Sequence, residues 1–211
     1  EPEKTFEEVL DEHPVSIQVN GQWQTFPNAK AAEEASYEEY KANLRRNAKN
    51  FRITDEHLGE GGPKAKFQAN VNAIRLLKEL EAAGQQASPE QQEVLSRYVG
   101  WGGLSDAFDP EKPAWALEYA QLKELLTPEE YAAARSSTLN AHYTSPTVIQ
   151  AIYEAVDRMG FETGNILEPS MGVGNFFGML PEEMRNSRLY GVELDPVSGR
   201  IAKQLYPKAD I

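Results

Sequence analysis

Apolar and polar residues alternate through Val15, Ile17 and Val19, the spacing of a strand with one covered face. Asn20-Gly21 follows, the dipeptide that most favours a two-residue hairpin turn because both positions accept positive φ. Trp23 and Phe26 lend apolar surface to the return run, so residues 15–26 predict a β-hairpin that needs something to pack on. The period then lengthens. Residues 29–50 are rich in Ala, Glu, Lys and Arg and predict helix. Val71, Ile74, Leu77 and Leu80 form an i, i+3 stripe that ends near Gly84. Ser88-Pro89 with Gln91, and the run Thr127 to Glu130, are helix starts, and residues 113–135 read as helical. The loop at residues 59–66 is glycine-rich, but it lacks a Gly-Lys-Ser/Thr ending and no apolar strand precedes it, so it is not a phosphate loop.

After Ser136 the pattern changes again. A polar loop leads to Ser145-Pro146, which opens a helix running to about residue 159 with Val148, Ile149, Ile152 and Val156 on one side. Residues 164–169 read as a short buried strand, Gly172 to Gly178 bend into a helix, and residues 188–196 form a second strand ending in acids. A helix over 197–205 and the start of a third strand complete the series. Strand, glycine loop, helix, strand, helix, strand is the opening of a doubly wound α/β sheet. The fold expected is α/β: a partial, Rossmann-like parallel sheet over 136–211, a mainly helical domain over 29–135, and an N-terminal segment, 1–28, carrying the hairpin. The chain starts without Met and ends in a strand-like run, so it is expected to be a piece of a longer protein.

Composition adds limits. The chain has 211 residues, no cysteine and a formal net charge of −12. Disulfides and thiolate metal sites are excluded, and a reducing cytoplasm is the expected setting. No apolar run approaches the ~18 residues of a membrane span, so no membrane partner is expected. The acidic balance argues against strong duplex binding by these residues alone. One stretch departs from it: Lys41 to Ile53 holds five basic residues and no acid. Lys41, Arg45, Lys49 and Arg52 fall at i, i+4, i+8 and i+11, one face of a continuous helix, either a solvated face or a nucleic-acid contact.

Candidate chemistry gathers at residues 166–178, where Glu168-Pro169 and then Gly172, Gly174 and Gly178 follow the apolar pair Ile166–Leu167. At the carboxyl end of a first strand, Gly172 and Gly174 would let a ligand approach bare backbone. Gly172 and Glu193 are 21 residues apart, close to the ~20 expected between a glycine loop and an acid that grips ribose hydroxyls. Glu168 stands at the strand end, badly placed beside a pyrophosphate and well placed beside a cation. S-adenosylmethionine carries both an ammonium and a sulfonium. Glu193 could instead be a solvated strand-end acid, and Glu168 a structural cap of the glycine turn. Asn175 could donate to a ligand or suit the helix start. Asp195 reads as a helix N-cap, and Phe176 and Phe177 read as core. Trp101, set among three glycines in residues 98–109, reads as a packing anchor or as a partner-facing aromatic.

Residues 167–176, Leu-Glu-Pro-Ser-Met-Gly-Val-Gly-Asn-Phe, resemble the glycine-loop motif of class I S-adenosylmethionine methyltransferases in the form used by DNA adenine-N6 methylases. Residues 191–196 are similar to their second motif, with Glu193 as the ribose-binding acid. Residues 142–146, His-Tyr-Thr-Ser-Pro, resemble the motif that these enzymes place upstream, along the methionine end of the cofactor. Residues 70–81, 98–109 and 137–146 also look like the large helicase–methyltransferase fusion proteins of bacterial conjugative elements and phages. The resemblance implies S-adenosylmethionine as cofactor, bound by Tyr143, Thr144, Glu168, Pro169, Gly172, Gly174, Asn175 and Glu193. It implies DNA as a partner of the parent protein, with downstream methylase and helicase regions in the same chain. These enzymes also need an Asn/Asp-Pro-Pro-aromatic motif, and none stands in the 211 residues, so no catalytic residue is assigned. Two alternatives stay open: a non-catalytic DNA- or partner-docking module with a degenerate methylase fold, and a piece of an NAD(P)-dependent oxidoreductase.

Overall fold

In a computed structural model of the chain, the described residues are 13–47, 49–139, 141 and 143–211, without the side chains of 40–47. The chain divides into two compact units, residues 1–48 and residues 49–211. In the first, β1 (Val15–Val19) pairs antiparallel with β2 (Gln22–Phe26), and α1 (Ala29–Asn47) follows. Asn20 at φ 51° and Gly21 at φ 73° make the tight turn that their dipeptide predicts. Among the described residues of this unit, Val19 and Ala32 are buried.

The second unit is mainly helical up to residue 137. Its helices are α2 (Pro63–Ala83), α3 (Pro89–Ser96), α4 (Ala116–Leu125) and α5 (Pro128–Ser137). The expected stripe of α2 is fully inward, with Val71, Ile74, Leu77 and Leu80 all buried. Gly84 ends that helix in the left-handed conformation, at φ 62°. Ser88 and Thr127 cap α3 and α5 through reciprocal side-chain and backbone bonds with Gln91 and Glu130. Trp101 is 1% exposed, which settles it as a packing anchor. Its ring meets Phe67, Tyr98 and Phe108 edge-on.

From residue 146 the elements are α6 (Pro146–Arg158), β3 (Asn165–Glu168), the single turn α7 (Asn175–Gly178), β4 (Arg188–Gly191) and α8 (Pro196–Leu205). β3 and β4 run parallel, in register from Asn165 opposite Arg188 to Glu168 opposite Gly191. A single parallel bridge, Tyr190 to Asp210, stands where a third strand was expected. The class is therefore mixed α/β with two-stranded sheets, and a doubly wound sheet is not seen among the described residues. The second strand is also shorter than the 188–196 predicted. It stops at Gly191 because the chain turns where the Glu193 carboxylate takes the Asp195 amide.

The helical stretch and the strand-containing stretch pack as one body. Phe51 and Ile53 donate backbone bonds to Leu205 and Gly178. Gln92 on α3 donates to the Gln204 carbonyl of α8, and Glu130 on α5 accepts from Lys78 on α2 and Arg200 on α8. Among the described residues, no helix is long and apolar enough to cross a membrane.

Candidate functional site

Two loops meet at the carboxyl ends of β3 and β4. Val192 donates to the Glu168 carbonyl and Met171 donates back to the Val192 carbonyl, so the loops are laced together beyond the strands. Glu193 fixes both. Its Oε2 accepts from the Gly172 amide at 2.6 Å and its Oε1 from the Asp195 amide at 2.8 Å. These are charge-assisted bonds, the stronger kind. Asp195 caps α8 as the sequence predicts, accepting from the Ser198 amide at 2.7 Å.

Above these loops lies a cavity of about 470 Å³, within the range of small-molecule sites. Tyr143, Thr144, Glu168, Gly172, Asn175 and Glu193 line it. Pro169 and Gly174 do not. Gly174 has another task. It sits at φ 83°, and a Cβ there would stand 2.6 Å from the Tyr206 ring and 2.9 Å from Met171 Cε. Glycine at 174 therefore serves a left-handed turn packed on the interior.

The electrostatics of the cavity are one-sided. Glu168, Glu193 and Asp195 line it, and among the described lining residues there is no Lys, Arg or His. Glu168 Oε2 is buried with no hydrogen-bond partner. Burial, and then the nearby Glu193 charge, push the Glu168 carboxyl from 4.5 up to about 8. Burial raises the Tyr143 hydroxyl, against the bond it shares with Ser198 Oγ at 3.3 Å.

Several residues that line the cavity were not assigned to it from the motifs. Ser198 and Asp195 come with the first turn of α8, and an N-cap acid three residues before a serine was the available signal. Phe176, expected in the core, is half-buried and faces the cavity. Tyr98, Ser136 and Ser137 arrive from the helical stretch by tertiary packing, which no local pattern announces. Lys49 and Arg52 do not line this cavity. α1 ends at Asn47, so Lys49 and Arg52 fall beyond it and the single helical face of the four basic residues does not form. Arg52 donates to the Leu180 carbonyl at 3.2 Å. The side chains of Lys41 and Arg45, like the whole of His142, lie outside the described residues.

The chain is 25% identical over 153 residues to the Defense against restriction protein B of Escherichia phage P1, covering 72% of this chain and 5% of that protein. It is 46% identical over 43 residues to the Type II methyltransferase M.CvrRI of Paramecium bursaria Chlorella virus XZ-6E, covering 20% of this chain and 11% of that protein. The chain thus spans a small part of the length of either curated relative. No family model and no solved structure matches it.

Proposed function

We propose that residues 136–211, backed by the helical stretch, are the cofactor-binding part of an S-adenosylmethionine-dependent DNA adenine-N6 methyltransferase. The observation that carries this reading is the charge of the cavity: three carboxylates, one of them, Glu168, with a buried and unpartnered oxygen, and no basic group among the described lining residues. A ligand that brings cations lowers the cost of ionising Glu168, and one that brings a pyrophosphate raises it. This favours S-adenosylmethionine over a nicotinamide dinucleotide. The motif resemblance at 167–176 and the 43-residue likeness to a named methyltransferase support the same choice.

When bound, S-adenosylmethionine would supply an electrophilic methyl group for a nucleobase amine. The work of this chain's residues is binding and orientation. Glu193 would accept ribose hydroxyls on the lone pairs that its two backbone donors leave free. Glu168 would face the ammonium or sulfonium, and Leu194, 97% exposed at the rim, offers apolar surface to a flat ring. The residues that receive the adenine, the DNA contacts and any helicase region belong to the rest of the longer protein in this reading, and the expected setting is the cytoplasm.

The test is calorimetry on a protein carrying these residues with their natural continuation, titrated with S-adenosylmethionine and with NAD. Binding of S-adenosylmethionine alone is the expected result. Binding of NAD alone would install the oxidoreductase, and binding of neither would leave the docking module.

A further inference from the structure

Tyr143 lines the cavity from between α5 and α6 and is itself in neither helix nor strand, so its place depends on what its ring meets. The ring stands between two left-handed glycines. A Cβ at Gly172 would come within 2.9 Å of Tyr143 Cε1, and one at Gly100 within 2.6 Å of Cε2. The hydroxyl at the ring's end shares a hydrogen bond with Ser198. Gly172 and Ser198 belong to the loops already described. Gly100 comes from the helical stretch.

The segment bearing Gly100 has little room to yield. Asn70, in the middle of α2 and fully buried, spends its whole amide on it: Nδ2 donates to the Gly100 carbonyl at 2.6 Å, and Oδ1 accepts from the Val99 amide at 2.9 Å. A buried polar side chain on a core helix costs free energy unless it is satisfied, and here it is satisfied by one loop alone. Trp101 follows directly and is locked in the aromatic cluster. Gly102 lies so close to the Ala141 carbonyl that no side chain fits, and Gly103 donates to the Thr138 carbonyl at 3.1 Å. The 98–103 loop thus meets the α5–α6 connection at Thr138, Ala141 and Tyr143.

We propose that Asn70, and Gly100 in the cavity wall itself, are positioning residues for the site by way of Tyr143. Asn70 holds the loop, the bare Gly100 backbone seats the ring, and the ring sets the wall that Tyr143 and Thr144 give to the site. Tyr143 and Thr144 also line a second cavity of about 350 Å³, walled by Glu60 and Lys66, so the same ring stands at the border of two spaces. The consequence for ligand binding rests on the cofactor reading above; the seating of the ring does not.

Gly100→Ala and Gly103→Ala make the decisive pair. Both positions have positive φ, at 67° and 72°, so an alanine meets similar backbone strain at either. Only at Gly100 does the new methyl strike Tyr143, since nothing lies within 4 Å of a Cβ at Gly103. In the continued protein, Gly103→Ala should bind S-adenosylmethionine within about twofold of the parent. Gly100→Ala and Asn70→Ala should each bind about tenfold more weakly, and Gly100→Ala should add little to Tyr143→Ala. Equal affinities for Gly100→Ala and Gly103→Ala in a parent that binds would overturn the proposal.

A ligand-free arm keeps the two readings apart. In thermal unfolding, Gly100→Ala should lower Tm more with Tyr143 present than in the Tyr143→Ala background. Equal shifts would overturn the seating whatever binds. Unequal shifts in a protein that ignores S-adenosylmethionine would uphold the seating and sink the cofactor reading.

Discussion

Burial raises the Glu168 carboxyl in the folded chain, and that has a definite sign in stability. Its carboxyl is raised from 4.5 to about 8, first by burial and then by Glu193. Between those values the folded state holds a proton that the unfolded state has released. Stability must therefore fall as pH rises across this window and level off above it. Urea unfolding of the parent between pH 5 and 9 should show a loss of up to about 4 kcal/mol, and Glu168→Gln should flatten the curve. A cationic ligand draws the same proton off. Its affinity should rise between about pH 6 and 8, by at most about tenfold per unit, and the rise should vanish in Glu168→Gln. Glu193 acts differently, because it already holds two backbone amides. Glu193→Ala should lower stability by about 2–4 kcal/mol in the absence of ligand and abolish S-adenosylmethionine binding, measured by urea unfolding and calorimetry. Spacing and residue type single out both acids, and both line the cavity. The clamp on Gly172 and Asp195 was not legible in the sequence, because it depends on where two loops fold relative to one another.

Elements were readable wherever their signals are local. The Asn20-Gly21 turn, the inward stripe of α2 and the capping boxes at Ser88 and Thr127 each involve residues within a few positions of one another. Ser145 starts α6 as the pattern predicts, although its side chain makes no cap bond. Where a partner lies far along the chain, the local pattern does not announce it. Val148 and Ile152 of α6 look like core by periodicity yet stay exposed, since only part of that helix face meets another element. Gly174 read as a gap for a ligand, whereas its bare α-carbon fits against Tyr206 and Met171. Gly174→Ala should therefore destabilise the unligated chain, through both the positive φ and the clash, by about 2–4 kcal/mol in urea unfolding. A stable alanine variant that merely lost ligand affinity would show instead that this glycine makes room for a ligand.

At the scale of the whole molecule, the ties between the helical stretch and the α/β stretch are polar as well as apolar. Glu130 is 4% exposed and accepts from Lys78 at 2.8 Å and Arg200 at 2.7 Å, joining α5 to α2 and α8. Burial alone would raise its carboxyl, but these two cations and the Thr127 amide bring it below the usual range. A depressed carboxyl contributes stability above the ordinary Glu value, and that contribution fades as pH falls through the folded one. Gln204 extends the seam by accepting from the Ala87 amide, and Ile201, Ala202 and Leu205 of α8 sit in the common core with Leu77 and Leu95. Residues 136–211 alone would keep two four-residue parallel strands, while α8 would lose the helices it packs on. So small a sheet cannot bury enough surface to stand alone. The expectation is that residues 49–211 unfold in one cooperative step and that an isolated 136–211 peptide does not fold. Circular dichroism and amide exchange on both would check it. A cooperative melt with protected amides in the shorter peptide would show that the α/β stretch is self-sufficient and that the helical stretch is an appendage to it.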